Sequence, residues 1–175
     1  MDLSSVSLSS QRLLLKAFAS EDALEAFKAT TPTLTRFMGW DPAPSLEAFA
    51  PIWQSWFPMM CAGTDGYFVV RVKRTLEFLG MVGLHDTSAA EPETGIWIRE
   101  SQHGYGYGRE AIAAVISFAS RDKRAVIYPV VEQNDSSRRL AQRLGGVIVG
   151  TRLLRKAGGV KHPEVVYRIP APTAG

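Results

Sequence analysis

Apolar and polar positions follow two rhythms along this chain, and the switches between them mark its elements. RLLLKAF (Arg12–Phe18) is a short apolar run of strand character behind a serine-rich lead. SEDALEAFKATT then takes helical spacing, with Ser20 as its N-cap and acidic residues in its first turn. A turn-rich loop, TRFMGWDPAP, leads to a second helix opening at Ser45, which Pro51 and Pro58 should kink or shorten. Beyond it the runs become short, β-branched and aromatic: Gly66–Lys73, Glu77–His85 and Glu93–Glu100 predict a three-strand meander. A glycine cluster then opens a helix to about Ser120, followed by a strand over Ala125–Val131. Asn134 caps another helix that Gly145 ends, and VIVGTRLLR and VVYRI close the chain as strands. This order predicts one α+β domain over residues 1–175, with loose ends at 1–9 and 171–175.

Composition narrows the class without naming a function. With 46% hydrophobic and 21% charged residues in 175, the chain can bury a core. A net charge of +3 is too even to argue for nucleic acid, though a mild positive potential favours an anionic ligand. The single cysteine, Cys61, rules out an intramolecular disulfide framework or a cysteine-rich metal site, and reads as a small apolar filler beside Met59 and Met60. No basic or apolar signal region stands at the N-terminus, and no apolar run could span a bilayer. The expectation is a cytoplasmic protein with no metal and no nucleic-acid or membrane partner.

The stretch HGYGYGREAIAAVISFA carries the chemistry. Gly104, Gly106 and Gly108 alternate just ahead of a helix, at an entropic cost that demands a reason. A P-loop would need Lys-Ser/Thr after its last glycine, where Arg109 and Glu110 stand, and the spacing of a dinucleotide fingerprint is also missing. A tight strand-to-helix turn with no ligand is one reading. The other is an anion site: the first helix amides lack intrahelical partners, the dipole favours negative charge, and side chains at 104, 106 and 108 would block a pyrophosphate. Coenzyme A carries such a group.

The run His103–Gly108 resembles the Q/R-x-x-G-x-G/A pyrophosphate loop of the GNAT (Gcn5-related) N-acetyltransferases. ETGIWIRESQHGYGYGREA and NDSSRRLAQRLGG are similar to blocks of the branch that holds the ribosomal-protein N-terminal acetyltransferases, the second through Asn134, Ser137, Ala141 and Gly145. The resemblance extends over roughly residues 10 to 169, with departures at His103, where Gln or Arg is usual, and at Gly146, where an aromatic is usual. It implies a mixed, mostly antiparallel sheet of about seven strands, splayed in the middle and flanked by about four helices. Acetyl-CoA is the implied co-substrate, with a primary amine as acceptor: a protein N-terminus or a small molecule. The alternative is a catalytically silent acyl-CoA-binding sensor or interaction domain. Either a monomer or a homodimer is compatible.

The resemblance also distributes roles. Backbone at Ile96, Trp97 and Ile98 would meet the pantetheine arm. Ser101 through Arg109, including His103, Gly104, Tyr105, Gly106, Tyr107 and Gly108, would hold the pyrophosphate, and Asn134 would both cap its helix and bond the cofactor arm. Ser137 would donate to the departing sulfur, because Ala141 replaces the tyrosine that many relatives use. Glu93 or His85 are candidate bases, with Glu164 behind them. Phe37, Trp40 and Trp53 would border the acceptor, although the aromatics of the second helix also suit a core.

Overall fold

The protein is described by a computed structural model covering residues 1–119, 125–156 and 159–171. Eight strands form one sheet: β1 (Ser7–Ser9), β2 (Leu13–Ala17), β3 (Gly66–Val72), β4 (Phe78–His85), β5 (Glu93–Ile98), β6 (Val126–Val131), β7 (Val147–Arg155) and β8 (Lys161–Ile169). Their spatial order is β1-β2-β3-β4-β5-β6-β8-β7. Every neighbouring pair is antiparallel except β5 and β6, which run parallel and share a single ladder position, Glu93 opposite Ile127. From that point towards Ile98 and Val131 the two strands part. The α+β architecture with a splayed centre is the one expected, with an eighth strand added at the N-terminal edge.

Over β3 and β4 both faces of the sheet are covered, so strand alternation sorts residues between two apolar layers, whereas β7 at the far edge is exposed along most of its length. Phe68 and Val70 pack with Ile112, Val115 and Ile116 of helix α5 (Tyr107–Ala119). Val69, between them in sequence, faces the other way and joins Phe18, Phe78 and Met81. That second layer is closed by α1 (Ala23–Ala29), α3 (Leu46–Gln54) and α4 (Trp56–Ala62), through Ala23, Ala26, Phe49, Trp53, Trp56 and Phe57. No helix of the described residues is long and apolar enough to cross a membrane.

Several local expectations need correction. Ser20 does not cap a helix: Ser20–Asp22 is a 3-10 turn in which the Asp22 carboxylate accepts from the Ala19 amide at 3.0 Å. Between the first helix and the loop that begins at Thr35 lies a further short helix, α2 (Pro32–Thr35), capped where Thr31 Oγ1 accepts from the Leu34 amide at 3.0 Å. Ser45 caps α3 as expected, accepting from the Ala48 amide at 3.1 Å. The second helix is two, because the chain turns at Ser55; Pro51 has no amide to return to a carbonyl, while Pro58 falls in the first turn of α4, where none is needed. Residues 1–9 are docked rather than loose: Leu3 is buried, its amide donates to the Met60 carbonyl, and β1 pairs with β2. Cys61 is exposed on α4 and fills no core position. Asn134 caps α6 (Asp135–Arg143), accepting from the Ser137 amide at 3.2 Å. The expected helix end at Ser120 and the last residues, 172–175, lie outside the described residues.

Candidate active site

The parting of β5 and β6 opens a cavity of about 460 Å³ between the end of β5, the glycine loop, α6 and the segment around α2. Ile96, Trp97 and Ile98 form one wall, and Tyr128 of β6 with Asn134 and Ser137 of α6 forms the facing one. With a single ladder position between the strands, the β5 backbone along this wall has no strand partner on its β6 side. The Trp97 side chain points the other way, with its ring 5.9 Å from Phe78 in the second apolar layer.

At the β5 end the chain makes a 3-10 turn (Glu100–Gln102) and enters the glycine loop. Gly104 and Gly106 adopt φ of 85° and 80°, a region that L side chains rarely occupy. A Cβ on Gly104 would meet no protein atom within 4 Å, and one on Gly106 would meet only the Arg12 guanidinium at 3.6 Å. These glycines are therefore not packed against the protein: they set the backbone and leave it open to approach. Gly108 differs, since its φ is ordinary and a Cβ there would reach Leu140 at 3.4 Å across the cleft. It lies in the first turn of α5, beside the unpaired amides of the helix start. This open, amide-rich cradle is one that a pyrophosphate fits.

His103, Gly104, Gly106, Tyr107, Gly108 and Arg109 all line the cavity. Tyr105 does not: it is 62% exposed, its ring stacks on Tyr107 at 6.0 Å, and its carbonyl accepts from Arg12 Nη1 at 3.1 Å. His103 donates from Nε2 to the Ile98 carbonyl at 2.5 Å. A neutral His103 thus presents only an acceptor to the cavity, and it could donate to a phosphate only as imidazolium.

The two candidate bases sit elsewhere. Glu93 is gripped by Arg152, at 2.7 and 2.9 Å, and the same guanidinium holds the buried Glu164 at 2.6 Å. His85 Nδ1 pairs with Asp65 at 2.9 Å, and its ring stands edge-on to Tyr67. None of Glu93, Glu164 and His85 lines the cavity. Of the acceptor-side aromatics only Phe37 does, beneath the Arg36 guanidinium at 4.5 Å. Trp40 is 42% exposed outside the cavity, and Trp53 packs with Phe18 and Phe57 in the second apolar layer.

A family model described as "Acetyltransferase (GNAT) domain" matches residues 12–147. The chain belongs to that family. Its fold is shared with RimJ from Mycobacterium smegmatis, solved with CoA-disulfide: TM-score 0.80, 16% identity, covering 95% of this chain and 88% of that one. A ribosomal-protein-S5-alanine acetyltransferase from Vibrio fischeri matches with TM-score 0.76 and 17% identity over 97% and 98% of the two chains. RimL, a ribosomal L7/L12 alpha-N-protein acetyltransferase in complex with coenzyme A, matches with TM-score 0.80 and 18% identity over 92% and 95%. No curated protein sequence matches significantly. This GNAT protein is an acetyl-CoA-dependent N-acetyltransferase, and nothing favours a silent binding domain.

Two features of the acetyltransferase site were not read from its sequence. Tyr128 lies in the cavity wall with its hydroxyl 2.7 Å from Ser137 Oγ, and burial pushes its phenol up to about 12. Arg139 and Arg143, one turn apart on α6, also line the cavity, and with Arg109 they have no carboxylate partner among the described residues. The i, i+4 spacing of the arginines was visible; that they face the cleft rather than solvent alone depends on how α6 docks.

Proposed function

We propose that this N-acetyltransferase acetylates the α-amine of a protein N-terminus, with its donor held along β5 and its phosphates on the glycine loop. The observation that carries the reading is the cleft itself: one continuous cavity joins the open amide cradle at Gly104–Arg109 to the Tyr128–Ser137 wall. Acetyl-CoA supplies the thioester. The loop amides and the guanidinium groups of Arg109, Arg139 and Arg143 neutralise its phosphates. The β5 backbone between Ile96 and Ile98, apart from the Ile98 carbonyl that His103 occupies, holds the pantetheine amides, and a β5 amide directed at the carbonyl oxygen would stabilise charge developing there. Asn134 keeps its carbonyl on the Ser137 amide, so its NH2 group is free to donate into the cleft. Ser137 stands in the first turn of α6, where the helix dipole favours a developing thiolate.

A protein acceptor is supported by the names of the RimL and S5-alanine relatives, and Phe37 on the α2 side of the cleft is placed to meet it. No side-chain base is needed: an α-amine has an ordinary pKa of about 7.7–8.0, so a useful fraction is neutral near pH 7.5. The test is calorimetry with acetyl-CoA, followed by thiol release across a panel of short peptides and small amines. Tight acetyl-CoA binding with turnover only on peptides bearing a free N-terminus is expected. Turnover on polyamines or aminoglycosides but on no peptide would overturn the acceptor assignment.

A further inference from the structure

We propose that Tyr128 is a positioning residue for the leaving sulfur: its hydroxyl donates to Ser137 Oγ and thereby aims the serine proton into the cleft. The inference rests on the acetyltransferase reading above and deepens it at one atom. Tyr128 and Ser137 come from different elements, β6 and α6, and their oxygens meet at 2.7 Å in the cavity wall. Tyr128 is 2% exposed, and Ser137 is the hydroxyl's one partner among the described residues.

That isolation fixes the direction of the bond. Were Ser137 the donor, the phenolic proton would be buried with no acceptor, a cost that buried polar groups rarely bear. With Tyr128 as donor, Ser137 Oγ is occupied as an acceptor, and its own proton is left to point into the cavity. Among the described residues Ser137 Oγ makes no bond to its own helix backbone, the usual fate of a hydroxyl in a helix.

The same surroundings say what Tyr128 does not do. Its phenol is pushed up to about 12 by burial, so giving up the proton would leave a buried phenolate. Tyr128 keeps its proton throughout. As the amide bond forms and the carbon–sulfur bond breaks, the electron pair goes to sulfur and Ser137 donates a hydrogen bond to it. The attacking nitrogen releases its proton to water and the sulfur takes one from water, so the step balances with both hydroxyls unchanged. The role is orientation, which sequence could not suggest: a lone tyrosine in IYPVV reads as an ordinary strand former.

The experiment compares the parent with Tyr128→Phe, Ser137→Ala and the double variant. Phenylalanine keeps the ring and its packing, so the fold should hold, and acetyl-CoA affinity by calorimetry should match the parent. Its kcat should fall roughly tenfold, the low end for a single donor acting on developing charge. A second readout needs no turnover: thiolate absorbance of bound coenzyme A should titrate at higher pH in Tyr128→Phe and in Ser137→Ala than in the parent. In the double variant the tyrosine change should add nothing to the serine change, because the two act in series. An unchanged kcat and thiol titration in Tyr128→Phe, with an active parent, overturns the inference and leaves the enzyme reading standing. Losses that multiply in the double variant also overturn it, since independent structural effects add in free energy. A parent that neither binds acetyl-CoA nor releases thiol overturns the function and this inference together.

Discussion

Gly104 and Gly108 sit four positions apart and are glycine for different reasons. At Gly104 the backbone is left-handed and a Cβ would touch nothing of the protein, so Gly104→Ala meets strain without a clash. It should cost about 1–2 kcal/mol of stability, seen as a lowered Tm, and should also weaken acetyl-CoA binding by calorimetry. At Gly108 a Cβ would make ordinary contacts with Leu140, Ile98 and Ile96, so Gly108→Ala should leave Tm nearly unchanged. An unchanged acetyl-CoA affinity in Gly104→Ala would remove that glycine from the cradle. These positions were legible because glycine spacing and helix-cap chemistry are local. Asn134 was legible for the same reason. The partners of His103 and Ser137 were not: the Ile98 carbonyl is local but meets the ring only because of the 3-10 turn at Glu100–Gln102, and Tyr128 meets Ser137 only where β6 docks against α6.

At the scale of elements, the start of α5 is clamped from outside the site. Glu110 accepts from Ser10 Oγ at 2.6 Å, from the Arg12 amide at 2.7 Å and from Arg12 Nε at 2.7 Å. Arg12 then holds the Tyr105 carbonyl and lies over the Tyr107 ring at 4.7 Å. One carboxylate thus ties the β1–β2 turn to the glycine loop. Burial raises the Glu110 pKa, but the bonds from Ser10 and Arg12 outweigh it, and the net shift is downward. A depressed folded value means that the stabilisation is present above the ordinary glutamate pKa, about 4.3. It is lost as the pH falls through the folded value. Glu110→Gln should therefore lower Tm at pH 7, with the gap from the parent closing in acid. It should also weaken acetyl-CoA binding, although Glu110 does not line the cleft between β5 and β6. A Tm gap independent of pH would mean that the carboxylate's charge is irrelevant. None of this was visible beforehand, because β1 has only three residues, too few for an alternating pattern, and its lead looked unstructured. The split at Ser55 was half legible: the prolines announced a break but not its place.

Across the whole molecule, the sheet is two wings, β1 to β5 and β6 to β8, joined by one ladder position and left apart where the cleft lies. Short apolar runs gave most strands, but their order and the parting of β5 from β6 are long-range properties that periodicity does not contain; the family resemblance anticipated the parting and not the order. Ion pairs also cross between the wings. Arg152 on β7 spans Glu164 on β8 and Glu93 on β5, Arg168 on β8 reaches Glu91 at 2.5 Å, and Lys156 holds Asp41 at 2.7 Å. The bond to Glu93, partly offset by desolvation and strengthened by Glu164, raises the Arg152 pKa. Glu93 so held fits a clamp between the wings better than a base: both of its carboxylate oxygens are taken by the Arg152 guanidinium, and it does not line the cavity. Glu93→Gln separates the two roles. As a base, Glu93 would be worth about 10²–10⁴-fold in kcat, and its loss would erase the acid limb of the pH profile. As a clamp with one third of its side chain exposed, it should contribute about 1 kcal/mol or less. The expected result is a slightly lowered Tm, a pH profile of unchanged shape that follows the acceptor amine, and a kcat close to the parent's. A hundredfold fall in kcat with Tm unchanged would return Glu93 to the chemistry and require Arg152 to release it during turnover.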